Sequence, residues 1–184
     1  MKNILSDIID EIKFVAESID EESADIIVKA ITISPRVFVA GVGRSGLMTK
    51  AFAMRLMHAG LDAKVIGEIT TPNSREGDLL ILATGSGETE SLKAYAEKAK
   101  RNGLKIVTIT AFPESTLGKI ADTVLQIPAP TPKSDIQPAV LSNQPMGSLF
   151  EQSLLLTFDA LIINVMRALN LKSDVMFKNH ANLE

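Results

Sequence analysis

Two glycine-rich segments, one glutamate and two histidines carry most of the chemistry this chain can offer. The first segment is Gly41-Val42-Gly43-Arg44-Ser45-Gly46 and the second Thr84-Gly85-Ser86-Gly87-Glu88-Thr89. Each follows a run of β-forming residues and precedes a helical stretch. Glycines let backbone N–H groups turn toward a ligand. Hydroxyls donate to an anion without carrying charge, and a helix N-terminus adds about half a positive charge and unpaired donors. One such loop alone reads as an ordinary turn and N-cap, where Ser and Thr are favoured anyway. Two at the ends of separate strands in one sheet describe a phosphate site. In doubly wound sheets the ligand lies outside the strand carboxyl ends, where the strand order reverses.

The first segment also matches the spacing G-x-G-x-x-G of dinucleotide sites. Glu68 lies 22 residues beyond Gly46, near where a ribose-binding acid belongs. Against that reading, Arg44 and Ser45 suit a terminal phosphate better than a pyrophosphate pressed on bare glycine. A chain of 184 residues also leaves little room for a nucleotide half and a substrate domain. No Lys-Ser or Lys-Thr pair follows the glycines, which excludes a P-loop.

Glu151 follows Met146-Gly147-Ser148 and opens an apolar helix. By spacing alone it is a first-turn acid favoured by the helix dipole. Arg55 and His58, three residues apart, share a helix face. His58 stands near the end of that helix, where the dipole is expected to raise its pKa. His180 lies on the tail SDVMFKNHANLE, to which Phe177 and Leu183 give something to bury.

Composition removes other chemistries. With no Cys there is no disulfide framework, thiolate metal site or cysteine nucleophile, and two His cannot make a three-His metal site in one chain. A net charge of −3 and 4% aromatic residues argue against nucleic acid as a partner. The N-terminus carries acids and no apolar leader core, so a cytoplasmic chain is expected. The apolar stretch 149–169 is broken by Glu151, Gln152, Asp159 and Arg167, which reads as a buried helix rather than a membrane span.

The elements that must position these residues follow from periodicity. Helical spacing runs through 4–19 and 21–33. Continuously apolar runs at 36–40, 63–66, 78–83, 105–110 and 123–127 read as strands covered on both faces, with crossover helices at 46–59 and 88–101. Strand alternating with helix predicts a parallel sheet with helices on both sides, and in a 2-1-3-4-5 order the loops after strands one and three would flank the crevice where the order reverses. One domain over 1–184 is expected: N-terminal helices (1–33), an α/β core (36–127), a proline-rich loop (128–145), a long apolar helix (147–169) and a tail (173–184). The Met residues at 48, 54, 57, 146, 166 and 176 read as core or interface packing.

With these residues in view, the chain resembles the sugar isomerase (SIS) domain family. The TGSGET loop, the GVGRSG loop and the helix preceded by QPMGSLFE carry the resemblance. AGVGRSGLMTKAFAMRLMHAG, QPMGSLFEQSLLL and the terminal HANLE narrow it to the branch that acts on 3-hexulose 6-phosphate. Thr84 stands where many relatives have Ser, which keeps the hydroxyl. Residues 128–143 match least, and nothing is carried over from them. The resemblance implies a three-layer α/β/α fold on a flavodoxin-like five-stranded parallel sheet, and a homotetramer. It implies interconversion of D-arabino-3-hexulose 6-phosphate and D-fructose 6-phosphate, in the ribulose monophosphate pathway of formaldehyde fixation, without metal or organic cofactor. It also implies that Ser45 and the 84–89 loop hold the phosphate and that Glu151 is the base.

The chemistry fits those roles. Moving a ketone from C3 to C2 removes a proton from C2 and returns one at C3 through a 2,3-enediol. One carboxylate on one face can make both transfers, best with a pKa raised by burial. The enediol needs electrophilic help at O2 and O3, for which Arg44, Arg55, His58 and His180 are candidates. Fructose 6-phosphate closes to a furanose and must be opened, a task that suits a histidine. His180 is expected to reach into a site, its own or a neighbouring subunit's. The expected catalytic residues are therefore Glu151, His58 and His180. The expected substrate-binding residues are Arg44, Ser45, Arg55, Thr84, Ser86, Gly87, Glu88 and Thr89. The reading from another class is a non-catalytic phosphosugar-binding SIS module.

Overall fold

The computed structural model describes residues 1–131 and 141–183. Its centre is one parallel sheet of β1 (Val37–Gly41), β2 (Ala63–Val65), β3 (Leu79–Thr84), β4 (Lys105–Thr110) and β5 (Thr123–Gln126). The sheet is parallel throughout, as the alternation predicts, and its spatial order is β2-β1-β3-β4-β5, in keeping with the flavodoxin-like sheet that the resemblance implies. β1 pairs with β2 on one side and β3 on the other, so the order reverses between β1 and β3. Every residue of β3 is buried, in keeping with its uninterrupted apolar sequence, whereas the edge strand β2 is only half-buried.

Helices α1 (Lys2–Ala16), α2 (Glu21–Ile33), α3 (Gly43–His58) and α6 (Ser148–Ala168) lie on one side of the sheet. α4 (Glu90–Arg101) and α5 (Thr116–Ile120) lie on the other. α7 (Ser173–Lys178) is a short helix in the tail, which periodicity does not announce. The larger core joins Val37, Val39, Ile81 and Ile109 of the sheet to Phe52 and Leu56 of α3 and to Leu149, Phe150, Leu154 and Phe158 of α6. Phe52 and Phe158 stack with ring centroids 4.1 Å apart. Burying each such side chain stabilises the fold by about 1.5–3 kcal/mol. α6 is long and apolar enough to cross a membrane by length and composition, yet its Leu149, Leu154, Phe158, Leu161 and Val165 are buried in this core.

Three boundaries move. α1 stops at Ala16 rather than 19. α3 begins at Gly43, so the glycine-rich segment is itself the first helical turn. The crossover expected from 88 begins at Glu90. The proline-rich segment 128–145 is described only at its two ends, and its role as one long loop lies outside the described residues in between.

Candidate active site

The carboxyl ends of β1 and β3 open side by side. β1 runs through Gly41 and Val42 into α3, and β3 runs into the 84–89 loop that leads to α4. α3 can start this close to the strand because two glycines face each other. A Cβ on Gly46 would stand 2.6 Å from the Gly41 carbonyl oxygen. Among the described residues no side chain caps the first turn of α3, whose leading N–H groups are of the kind that receives an anion.

The second loop is shaped from within. Thr84 Oγ1 accepts from the Gly87 N–H at 3.2 Å and shares a hydrogen with Thr89 Oγ1 at 3.2 Å. Ser86 Oγ accepts from the Glu88 N–H at 3.3 Å. Gly87 has φ +69°, and a side chain there would collide with Ser115. Thr110 Oγ1 donates to the Gly85 carbonyl at 3.2 Å, which braces the loop on β4.

The third wall is the start of α6. Together these walls enclose a pocket of about 280 Å³, lined by Arg44, Ser45, Thr84, Gly85, Ser86 and Thr89 from the loops. Phe150 and Glu151 complete it from α6, Met146 and Gly147 from the residues just before that helix, and Thr131 from the near end of the proline-rich segment. Arg44 Nη1 lies 2.7 Å from Glu151 Oε2 and donates to Ser148 Oγ at 3.0 Å. The Arg44–Glu151 approach is an ion pair by distance, but its angle leaves the buried Oε2 without an aligned hydrogen bond. A cation, a carboxylate and free helix N–H groups thus share one concave space. Such a space can bind a phosphate at one end and move a proton at the other.

Not every expected residue reaches this pocket. Gly87 shapes the loop from behind without lining the pocket. Glu88 turns away: its Oε1 accepts from the Thr116 N–H at 2.7 Å, at the start of α5. That backbone bond holds the Glu88 carboxyl below its ordinary value against the opposing effect of burial, helped by Lys93. Glu68, the ribose-binding candidate, is exposed and paired with Lys50 at 2.7 Å. Met146 does not pack in the core or an interior contact. It lines the pocket with φ +59°, in the left-handed region that a non-glycine residue occupies only under strain.

Arg55, His58 and His180 form a cluster of their own at the far end of α3. From Ser45 to His58 is thirteen residues of helix, about 20 Å of rise. His58 and His180 stack with ring centroids 5.3 Å apart, and Arg55 Nη1 lies 3.4 Å from His58 Nδ1. A guanidinium only donates, so that contact requires an unprotonated Nδ1. The expectation that the helix dipole raises the His58 pKa is overturned. Burial first, then the positive charges of Arg55 and His180, push it below the ordinary 6.5. The tail also docks differently from expectation. Phe177 and Leu183 stay exposed. The Asn179 side chain instead donates to the His58 carbonyl at 2.9 Å, and Met176 packs on the core. Asp159, Ile162 and Met166 of α6 line the same hollow.

Sequence reasoning did not single out Thr131, Met146, Ser148 or Phe150. The motif QPMGSLFE contained three of them, and Thr131 carries no local signal.

Comparison with known proteins finds relatives that match nearly the whole chain. The SIS domain family matches residues 30–156. The 3-hexulose-6-phosphate isomerase of Bacillus subtilis is 47% identical over 180 residues, 98% of this chain and 97% of the relative. That of Mycobacterium gastri is 41% identical over 182 residues, 99% of this chain and 90% of the relative. A crystal structure from Methanococcus jannaschii, described as inferring a molecular function of 3-hexulose-6-phosphate isomerase, superposes with a TM-score of 0.84 at 33% identity, covering 99% of both chains.

Proposed function

The chain belongs to the SIS domain family, and from that premise we propose that it interconverts D-arabino-3-hexulose 6-phosphate and D-fructose 6-phosphate through a 2,3-enediol. Relatives bearing that activity in their names match nearly the whole chain. The observation that carries the mechanism is Glu151, among the described residues the only carboxylate lining a pocket whose other walls include the starts of two helices suited to a phosphate.

In this reading the phosphate sits on the first turn of α3 at Ser45 and on the hydroxyls of Thr84, Ser86 and Thr89. Arg44 stands between that anion and Glu151 and balances the charge of both. Glu151 takes the proton from C2 and returns it at C3, or the reverse. The carbonyl and the alcohol exchange oxidation level within one molecule, so the chemistry calls for neither metal nor redox cofactor. The Arg55–His58–His180 cluster lies about 20 Å along α3 from the pocket of its own chain. It serves the pocket of a neighbouring copy, where an unprotonated His58 opens the furanose ring. The protein is then a cytoplasmic homotetramer acting in formaldehyde fixation by the ribulose monophosphate route.

The test is incubation with fructose 6-phosphate in deuterium oxide without nicotinamide. Deuterium at C3 of recovered fructose 6-phosphate and formation of the 3-ketose are expected. Binding without exchange would leave a phosphosugar-binding module and overturn the isomerase.

A further inference from the structure

We propose that Glu11, on α1, is a positioning residue that holds the 142–147 wall of the pocket, and through it Glu151, in place for proton transfer. This rests on the isomerase reading above. The Glu11 carboxylate gathers three donors from a segment more than 130 residues away in sequence. Ser142 Oγ donates to Oε2 at 2.6 Å, Gln144 Nε2 to Oε2 at 3.0 Å, and the Asn143 N–H to Oε1 at 3.0 Å. Ser142 Oγ in turn accepts from the Gln144 N–H at 3.0 Å, which closes the segment on itself. Among the described residues this carboxylate meets three donors and no cation, so hydrogen bonding holds it there. Burial pushes the Glu11 carboxyl up, and the bonds from Ser142, Gln144 and Asn143 outweigh it and leave it below its ordinary value.

What the clamp holds is a wall of the pocket that is largely exposed. Leu141, Asn143, Pro145 and Met146 are exposed, and Met146 keeps a strained φ of +59°. Pro145 then accepts from the Ser148 N–H at 3.2 Å, and Gly147 from the Glu151 N–H at 3.0 Å. A continuous run of bonds thus leads from Glu11 to the first turn of α6. The clamp has a fixed base, because Glu11 stands one turn before Val15, the fully buried residue that anchors α1 to the core. Among the described residues the phosphate loops at 43–46 and 84–89 make no hydrogen bond or ion pair with Glu11 or its three partners, and Arg44 meets only the far end of the run, at Ser148 and Glu151. Loss of the clamp therefore displaces the base more than the anion site, and displacement on the scale of 1 Å costs up to about 10²-fold in rate.

The experiment combines kinetics and amide exchange on the full chain. For Glu11→Ala we expect kcat to fall about tenfold or more, inhibition by inorganic phosphate to change less than about twofold, and amide exchange across 141–150 to accelerate. Glu11→Gln keeps the length and one acceptor but sets an N–H₂ against a donor, so it should fall between the two. Ser142→Ala added to Glu11→Ala should cost nothing further, since the two groups act as one unit. An unchanged kcat in Glu11→Ala, or a loss of phosphate affinity equal to the loss of kcat, would overturn the proposal. An inactive wild-type chain would remove the isomerase reading instead, and the exchange of 141–150 would still decide whether Glu11 holds that wall.

Discussion

At the scale of single residues, the contact between Arg44 and Glu151 organises the site. The guanidinium lies 2.7 Å from one carboxylate oxygen and 3.0 Å from Ser148 Oγ, half exposed and facing the anion loops. Replacing Glu151 by Gln keeps the shape and removes the base. Glu151→Gln should therefore bind fructose 6-phosphate with little change and lose at least about 10²-fold in kcat, and a fully active variant would take Glu151 out of the mechanism. His58 makes a second prediction, in stability. The unfolded chain takes up a proton at the ordinary 6.5, whereas the folded chain does so only at lower pH, because burial, Arg55 and His180 oppose the charge. Between those points the unfolded state binds more protons. The contribution is thus fully present above 6.5 and lost as pH falls through the depressed value. Thermal melting of His58→Gln between about pH 5.5 and 7.5 should show a flatter loss toward acid than wild type, and an identical slope would mean that His58 is not desolvated. That Glu151 lines the pocket agrees with the motif QPMGSLFE, whose resemblance marked it where its first-turn position alone did not. The clamp at Glu11 could not be anticipated, since it pairs a surface-looking helix acid with partners named only by the folded chain.

Elements explain why these residues meet. The parallel sheet was legible in the alternation of apolar runs and helical stretches, because strands covered on both faces leave an unmistakable composition, whereas the order β2-β1-β3-β4-β5 is set by pairings that alternation does not encode. The start of α3 was not legible, because glycines read as a loop. They form a helix here because Gly41 and Gly46 let the first turn press on β1. Gly46→Ala puts a methyl 2.6 Å from the Gly41 oxygen. It should cost about 1–3 kcal/mol of stability and displace the N–H groups proposed to bind phosphate, read as a lower melting temperature with weaker inhibition by inorganic phosphate. A variant as stable and as readily inhibited as wild type would show that the close approach is unimportant. α7 and the tail escaped periodicity because they are too short to carry one. What holds them is the Asn179 bond to the His58 carbonyl and the stacking of His180 on His58. Removing residues 173–184 should slow turnover from fructose 6-phosphate more than turnover from the 3-ketose, which needs no ring opening. Equal slowing in both directions would deny the tail that role.

At the scale of the whole molecule, one chain is arranged as though part of its surface belonged to another. It exposes 10548 Å², above the roughly 8,600 Å² that a compact monomer of this mass shows. Ile4, Leu5, Ile9 and Phe14 line α1 in the open, and Leu156 and Ile163 do the same on α6. Exposed apolar faces of this extent suit contact between copies. The two functional clusters lie at opposite ends of α3 and point to the same partition: Glu151 with the anion loops at one end, His58 with Arg55 and His180 at the other. If a working site takes its base from one copy and its ring-opening group from another, two dead variants can repair each other. Glu151→Gln and His58→Ala should each turn over fructose 6-phosphate poorly alone. Random co-assembly in equal amounts should restore about one quarter of the sites, because a site needs Glu151 from one chain and His58 from its neighbour, each present with even odds. Sites built within a single chain would restore none, since every chain in the mixture lacks one of the two. Turnover measured after co-expression, with mixed assemblies verified by two different affinity tags, distinguishes one quarter from zero.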